Sequence, residues 1–304
     1  MQPSVGIGLK CLAVFVFSIM GALIKSVSGH VPTGEIVFAR SFFGIFPLLV
    51  LPLYRGTLLS VLATSRPGMH IIRSLVGSAA MFCFFAALAL ISLPDLTAIT
   101  YAAPLLVVVL AVIILGEKVR FYRWTAVIVG LIGVLIILYP RLGLFSSNGI
   151  DAGTTFAIAG TLLMAVATIL VRQLVKTEKT EATVFYFSAS ATIFALMTIP
   201  FGWIMPDLKT AIILVLIGLF GGVAQMLLTR SYFYAEASVI APFDYTSMIW
   251  AVLIGYFVFG DVPAMNIIIG CTIVMTAGIF IILRESNLGI LNVRARKART
   301  PSGS

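Results

Sequence analysis

The chain has 304 residues, 61% of them hydrophobic and only 10% charged, with a formal net charge of +9 and a mean hydropathy of +1.14. A soluble domain carries about 25% charged residues, so this chain lacks the charge to cover a water-facing surface, and most of its exterior must face lipid. The cations do not suggest a nucleic-acid groove: they sit mostly at the ends of apolar runs, and Arg284, Arg294, Arg296, Lys297 and Arg299 follow the last one, the pattern of topogenic charge and attraction to anionic lipid.

A helix needs about 20 mainly apolar residues to cross about 30 Å of hydrocarbon. Punctuation by Gly, Pro and charge predicts ten spans: 6–25, 34–53, 72–92, 95–115, 121–139, 151–172, 182–203, 210–230, 236–259 and 264–283. In span 1 one cation, Lys10, precedes the apolar residues 12–24, and no small-x-small cleavage site is followed by soluble sequence, so it is expected to stay as a helix. Lys25 at its outer end can snorkel. Span 2 begins after Pro32 and carries Glu35 and Arg40 at its outer end. Their spacing does not suit an i,i+4 pair, so each is expected to bind elsewhere. Arg40 either draws in an anionic substrate or closes a gate by pairing with a carboxylate.

Spans 3 and 4 join closely at Ser92–Asp95. Span 4 holds Thr100, Tyr101 and Pro104, the proline breaking the helix because it has no N–H to donate. Gly130 and Gly133 of span 5, and the GxxxG of Gly218 and Gly222 in span 8, let helices approach closely, with packing inside one chain as the default over a joint between two copies. Trp124 and Trp203 are placed as interfacial anchors. Gln225 in span 8 needs a partner, as polar lining or as helix glue. Spans 8 and 9 join at Ser231–Ala235.

Span 9 carries Pro242, Asp244, Tyr245 and Trp250. An ionisable group deep in the bilayer costs roughly 2.5–3.5 kcal/mol on insertion scales and usually faces the bundle interior. Asp244 lies about 12 Å into the span, beside the break at Pro242. It either binds substrate or carries a coupling proton, or it pairs with a donor such as Gln225 or a tyrosine and fixes packing. Trp250, about 21 Å along, either stacks on a planar substrate or packs on a neighbour. The dispersed Cys11, Cys83 and Cys271 read as small buried hydrophobes.

With ten spans and a cytoplasmic N-terminus, sixteen of the twenty Lys and Arg fall inside, and Lys25, Arg40, Arg141 and Lys209 fall outside. The positive-inside rule predicts this bias, so both termini are expected in the cytoplasm.

At an offset of 144 the chain lines up with itself: Gly77 meets Gly221, Ala80 meets Ala224, Tyr101 meets Tyr245, Gly116 meets Gly260 and Glu117 meets Asp261. Each half has five spans, so the second must enter the membrane inverted, a recurrent basis for alternating access. Interrupted spans 4 and 9 are counterparts in the two halves and point to a midplane site. The expected fold is therefore all-α and membrane-embedded, with ten transmembrane helices as two inverted five-helix repeats. The boundaries expected are 1–143 and 144–285, followed by a basic disordered cytoplasmic tail, 286–304.

The junctions LGEKVRFYRWTAVIVGLIGVLIIL (115–138) and FGDVPAMNIIIGCTIVMTAGIFIIL (259–283), with Pro32 and Arg40 opening span 2, resemble the EamA-type members of the drug/metabolite transporter superfamily. The stretch ASVIAPFDYTSMIW (237–250) is similar to bacterial importers and exporters of vitamins, nucleoside-like metabolites and amino acids. The resemblance implies a bacterial inner-membrane carrier of a small polar or aromatic metabolite, such as riboflavin, S-adenosylmethionine or an amino acid. Asp261 stands where the family more often has Glu. It and Glu117, each following a glycine at a helix end, are expected to be structural.

The candidate substrate-binding or coupling residues are Asp244, Tyr245, Tyr101, Thr100, Gln225, Trp250 and Arg40, with helix breaks at Pro104 and Pro242. The expected site lies between spans 3, 4, 8 and 9, closed by spans 1 and 6. A planar aromatic cargo fits Tyr101, Tyr245 and Trp250. No G-x-x-x-x-G-K-[ST], H-E-x-x-H or G-x-S-x-G occurs, so neither direct ATP drive nor these catalytic motifs are expected. His30 and His70 are expected in loops on opposite sides, unable to share a metal. The partners expected are a small-molecule substrate, the lipid bilayer and protons as coupling ion, with a homodimer left open and no cofactor, metal or nucleic acid. A membrane-embedded enzyme or lipid-handling protein, and a non-transporting scaffold, are the alternative classes.

Overall fold

The computed structural model describes residues 3–54, 56–57, 62–115, 121–139, 151–175, 177–234, 243–244, 246–262, 264–277 and 279–280. No strand occurs among them. In chain order the helices are α1 (Pro3–Val27), α2 (Thr33–Tyr54), α3 (Pro67–Leu90), α4a (Leu93–Thr100), α4b (Ala102–Leu115), α5 (Phe121–Leu138), α6 (Ala152–Leu174), α7 (Thr180–Leu196) and α8 (Leu208–Tyr234). α9 runs Thr246–Ile254 and widens into a π-helical turn, Gly255–Phe259; α10 is Met265–Ala277. Five helices among the described residues are long and apolar enough to cross a membrane: α1, α2, α3, α6 and α8.

Local chemistry sets many of the ends. α3 opens on Pro67, a residue suited to the first helical turn because that N–H has no intrahelical partner. The tight joint between α3 and α4a works because Ser92 caps α4a: its Oγ accepts from Asp95 N at 3.2 Å and donates to Asp95 Oδ2 at 2.7 Å. Asp151 caps α6 in the same way, accepting from Thr154 N at 2.8 Å. α7 stops earlier than the predicted span, since Ile199–Phe201 tightens into a 3-10 turn around Pro200 and Gly202 turns left-handed at φ 93°. Trp203 thus lies past the helix, donating Nε1–H to Thr198 Oγ1 at 2.9 Å and lying 5.3 Å from Phe38. Conversely, α8 runs on through Ser231–Tyr234, where a loop was expected. α9 ends as FGD predicts: Gly260 adopts φ 71°, and Asp261 N donates to Gly255 O at 2.9 Å. Glu117, its counterpart, lies outside the described residues, as does the tail 286–304.

α1 packs along α8 and α3 along α6; α2 lies against α7 and α8, and α3 against α7. α9 touches α1 and α4a, while α4b rests on α6. Side chains fully enclosed at these seams include Ile24, Ile36, Ile99, Ile169, Leu174 and Ile217. The outside of the bundle is also apolar: Phe46, Ile113, Ile128, Ile249 and Met265 are all more than half exposed. A surface of this kind suits hydrocarbon and not water.

The glycine pairs hold seams within the chain. A Cβ on Gly218 would lie 2.5 Å from Ala39 O, and one on Gly222 would overlap the Gly44 carbonyl, so both face α2. A Cβ on Gly133 would lie 2.8 Å from Gly270 O, so this glycine lets α5 approach α10, and Gly130 faces Leu105.

Ends of helices are tied by polar contacts. Lys25 Nζ donates to Ile91 O at 2.5 Å, so it holds the C-terminus of α3 as well as closing α1. Glu35 accepts from Ile204 N at 3.3 Å. At the other end, Glu178 in the α6–α7 turn accepts from Ser65 N and Oγ at 3.1 and 2.7 Å. Its Oε2 is 3.6 Å from His70 Nε2. His70 is therefore buried in α3 and not in a loop, whereas His30 is exposed in the turn after α1. The Ser65 hydroxyl and amide hold the Glu178 carboxyl down to about 2. A carboxylate lowered on folding stabilises above its ordinary value and loses that contribution as pH falls towards the lowered one. The difference in thermal stability between the wild type and Glu178→Gln should be full at pH 7, shrink below about pH 4.5 and vanish near pH 2. Thermal melts of both proteins across that range check it.

Candidate functional site

Among the described residues, two polar clusters inside the bundle stand out. The first joins the two halves of the chain at the seam of α1, α4a and α9. Lys10 Nζ lies 2.7 Å from Asp244 Oδ1; the lysine side chain is 3% exposed and the carboxylate 43%. Lys10 is thus a buried residue two turns into α1 and not the loop cation that its place in the sequence suggests. A buried ammonium needs a paired anion, because desolvation costs several kcal/mol per ion. Asp244 supplies that charge from a short 3-10 turn before α9, not from the body of a helix, and its partner is neither Gln225 nor a tyrosine.

Tyr101, also buried, lies beside this pair, with its hydroxyl 3.1 Å from Ser247 Oγ. Ser247 in turn donates to Asp244 O at 2.6 Å, so the turn bearing the carboxylate is tied to α4. The break in that helix falls at Tyr101 and not at Pro104. A proline has no N–H to donate to the carbonyl one turn earlier, and the helix parts at Tyr101, one turn before Pro104. Thr100 Oγ1 donates to Thr97 O at 2.7 Å within its own helix. Trp250 packs on Phe15 of α1, with centroids 4.7 Å apart. Further along this seam α1 and α9 part, leaving an apolar crevice of about 330 Å³ lined by Ile19, Leu23, Ile254 and Phe259 among others. Tyr245 and Pro242 lie outside the described residues.

The second cluster is built from α2, α3, α7 and α8. Arg40, two turns into α2, is 5% exposed, and Arg73, within α3, is 7% exposed. Arg73 is therefore not a loop cation, although it begins close to the predicted edge of span 3. Both guanidinium carbons lie over the Phe187 ring, Arg40 at 5.3 Å and Arg73 at 4.2 Å from its centroid. Arg40 Nη2 donates to Gln225 Oε1 at 3.2 Å, which settles Gln225's partner. No carboxylate among the described residues pairs with either arginine. Two like charges facing one ring repel each other, and cation–π contact returns about 0.5–2 kcal/mol each. Lys10, Arg73, Phe187 and Ser247 were missed by the sequence reading. The available signal was a cation within one or two turns of an apolar run, which resembles a flanking loop charge.

A bundle of long apolar helices, with charges buried inside it and apolar side chains outside, is the architecture of a multi-pass membrane protein. The profile of the EamA-like transporter family matches residues 4–139 and again 151–284, and the chain belongs to that family. It is similar to an S-adenosylmethionine uptake transporter of Rickettsia bellii, 28% identical over 93% of this chain and 94% of the relative. A pseudopaline exporter of Pseudomonas aeruginosa is 30% identical over 90% of this chain and 94% of its own length. A riboflavin transporter of Rhizobium johnstonii is 27% identical over 93% and 94%. A solved crystal structure superposes with a TM-score of 0.68 at 23% identity, covering 91% of this chain and 96% of that one, and it shares the fold. The chain is thus a small-metabolite transporter, not an enzyme.

Proposed function

We propose that the protein is an alternating-access secondary carrier of a small polar or aromatic metabolite in the bacterial inner membrane. Its ten spans form two inverted halves, residues 1–143 and 144–285, with both termini cytoplasmic. The cargoes named for its relatives, S-adenosylmethionine, pseudopaline and riboflavin, set the class: small metabolites.

The packing supports an inverted repeat. Exchanging α1 with α6, α2 with α7, α3 with α8 and α4 with α9 turns the α1–α8 seam into α6–α3, α2–α8 into α7–α3, and α1–α9 into α6–α4, all of which occur. The family profile also matches twice, once per half. Contacts between connections agree with alternation: Ser65 with Glu178 and Arg230 with Glu181 join ends expected inside, whereas Lys25 with Ile91 and Glu35 with Ile204 join ends expected outside. Removing the buried Lys10, Arg40 and Arg73 from the cation count leaves fourteen inside and three outside, so the positive-inside bias persists.

The observation that carries the mechanism is the Lys10–Asp244 pair. The lysine is enclosed while the carboxylate keeps an open side, so substrate or a proton can compete with the ammonium for Asp244. Neutralising Asp244 would release α1 from α9 and let the seam between the halves reopen. Tyr101, Thr100 and Trp250 complete the lining of this pathway, and the break at Tyr101 lets α4 bend. Uptake from a metabolite pool into proteoliposomes, read by mass spectrometry with and without an imposed pH gradient, tests the proposal. Accumulation above empty vesicles is expected, larger with the gradient; no compound accumulating in either condition would refute it.

A further inference from the structure

Among the described residues, the lysine–aspartate pair uses one of three buried Lys and Arg side chains, and the other two, Arg40 and Arg73, meet no anion. Arg73 is 93% buried by residue area, and its Nε and Nη1 reach no hydrogen-bond acceptor. Most buried polar atoms are hydrogen-bonded, and a guanidinium is the side chain least able to shed its charge, so two enclosed donors on one such group mark a place meant for an acceptor. Arg40 approaches the same ring from α2, with one donor committed to Gln225.

The backbone is carved to fit these side chains. A Cβ on Gly77 would collide with the Arg73 guanidinium, and one on Gly221 would lie 3.1 and 3.3 Å from Arg40 Cγ and Nε. Gly77 and Gly221 are partners at the 144-residue offset, so the same position in each half is kept bare and each seats one arginine. Phe187 forms an apolar wall that both cations share.

We propose that Arg40 and Arg73 form an oxyanion subsite for the transported molecule, which makes the cargo an organic anion bearing a carboxylate or phosphate. Planar guanidinium forks match both groups with paired, charge-assisted hydrogen bonds. An oxyanion supplies acceptors for Arg73 Nε and Nη1 and offsets the repulsion between the two cations. The assignment rests on the carrier reading above and adds the chemistry of the cargo.

Thermal melts of the purified full chain in detergent test it, with sodium benzoate and sodium phosphate as probes against sodium chloride at equal ionic strength. At least one probe should raise the wild-type Tm in a saturable way: benzoate alone points to a carboxylate cargo, phosphate alone to a phosphate ester, and either supports the subsite. Arg40→Gln, Arg73→Gln and the charge-keeping Arg73→Lys should bind the active probe at least tenfold more weakly. Gly77→Ala, which displaces the guanidinium without removing it, should do the same. No shift with either probe, or an equal shift in Arg73→Lys as in the wild type, would overturn the subsite. Uptake separates the two readings. Wild-type vesicles that accumulate nothing while the melts still respond would defeat the carrier and leave the subsite. Vesicles in which Arg73→Lys transports organic anions as the wild type does would defeat the subsite and leave the carrier.

Discussion

Asp244→Asn is expected to abolish uptake and to lower the thermal stability of the purified protein, both through Lys10. The ammonium is 3% exposed and 2.7 Å from the carboxylate, and losing the anion strands its charge in a low dielectric. Removing one partner of a buried pair costs about 3–5 kcal/mol. The carboxylate is 43% exposed and water screens part of that interaction, so a loss nearer to 2 kcal/mol is expected here. Replacing both charges often proves neutral, because no ion is then left unpaired. The double variant Lys10→Met with Asp244→Leu should therefore recover much of the stability while uptake remains absent. Melting curves and proteoliposome uptake on the wild type and these two variants make the comparison. Uptake surviving in Asp244→Asn at the wild-type rate would remove the pair from the transport mechanism.

Gly222→Leu should be the most damaging change to the fold. A side chain there meets backbone: Gly44 C and Cα are 2.9 Å from the added Cβ, and the Gly44 carbonyl oxygen is closer still. Overpacking costs about 1–3 kcal/mol where neighbouring side chains can shift; here a helix axis must move, and a loss of about 3 kcal/mol or more follows. α2 would be pushed off α8, parting Arg40 from Gln225, so transport should fall with stability. Gly8, with nothing within 4 Å of an added Cβ, provides the control, since Gly8→Ala should melt like the wild type. Size-exclusion profiles and melting temperatures of both variants settle the point. A monodisperse Gly222→Leu with unchanged Tm would show that the α2–α8 approach is not a constraint.

Membrane residence, the five long apolar helices and the glycine turn ahead of Asp261 were legible because each depends on about 20 consecutive residues or fewer. The interruption of α4 was legible too, since proline acts on the turn before it, although the bend itself falls at Tyr101. The close approach of Gly218 and Gly222 to another helix could be read from their size, but the identity of α2 as that helix could not.

The partner of each buried charge was beyond the sequence. Lys10 and Arg73 look like flanking cations, because a position two turns inside a helix and one at its mouth differ by only about 10 Å of rise. Periodicity gave no help: in a soluble protein the polar face of a helix marks the outside, whereas here lipid and core are equally apolar and the two faces look alike. What the chain by itself determined is the kind of solvent it lives in and which of its long helices are apolar enough to cross it. Only tertiary structure decided that Asp244 meets Lys10 from the opposite end of the chain, and that Arg40 and Arg73 converge on Phe187. Those meetings depend on which apolar faces pack together, and hydrophobicity alone cannot choose among faces that are all apolar.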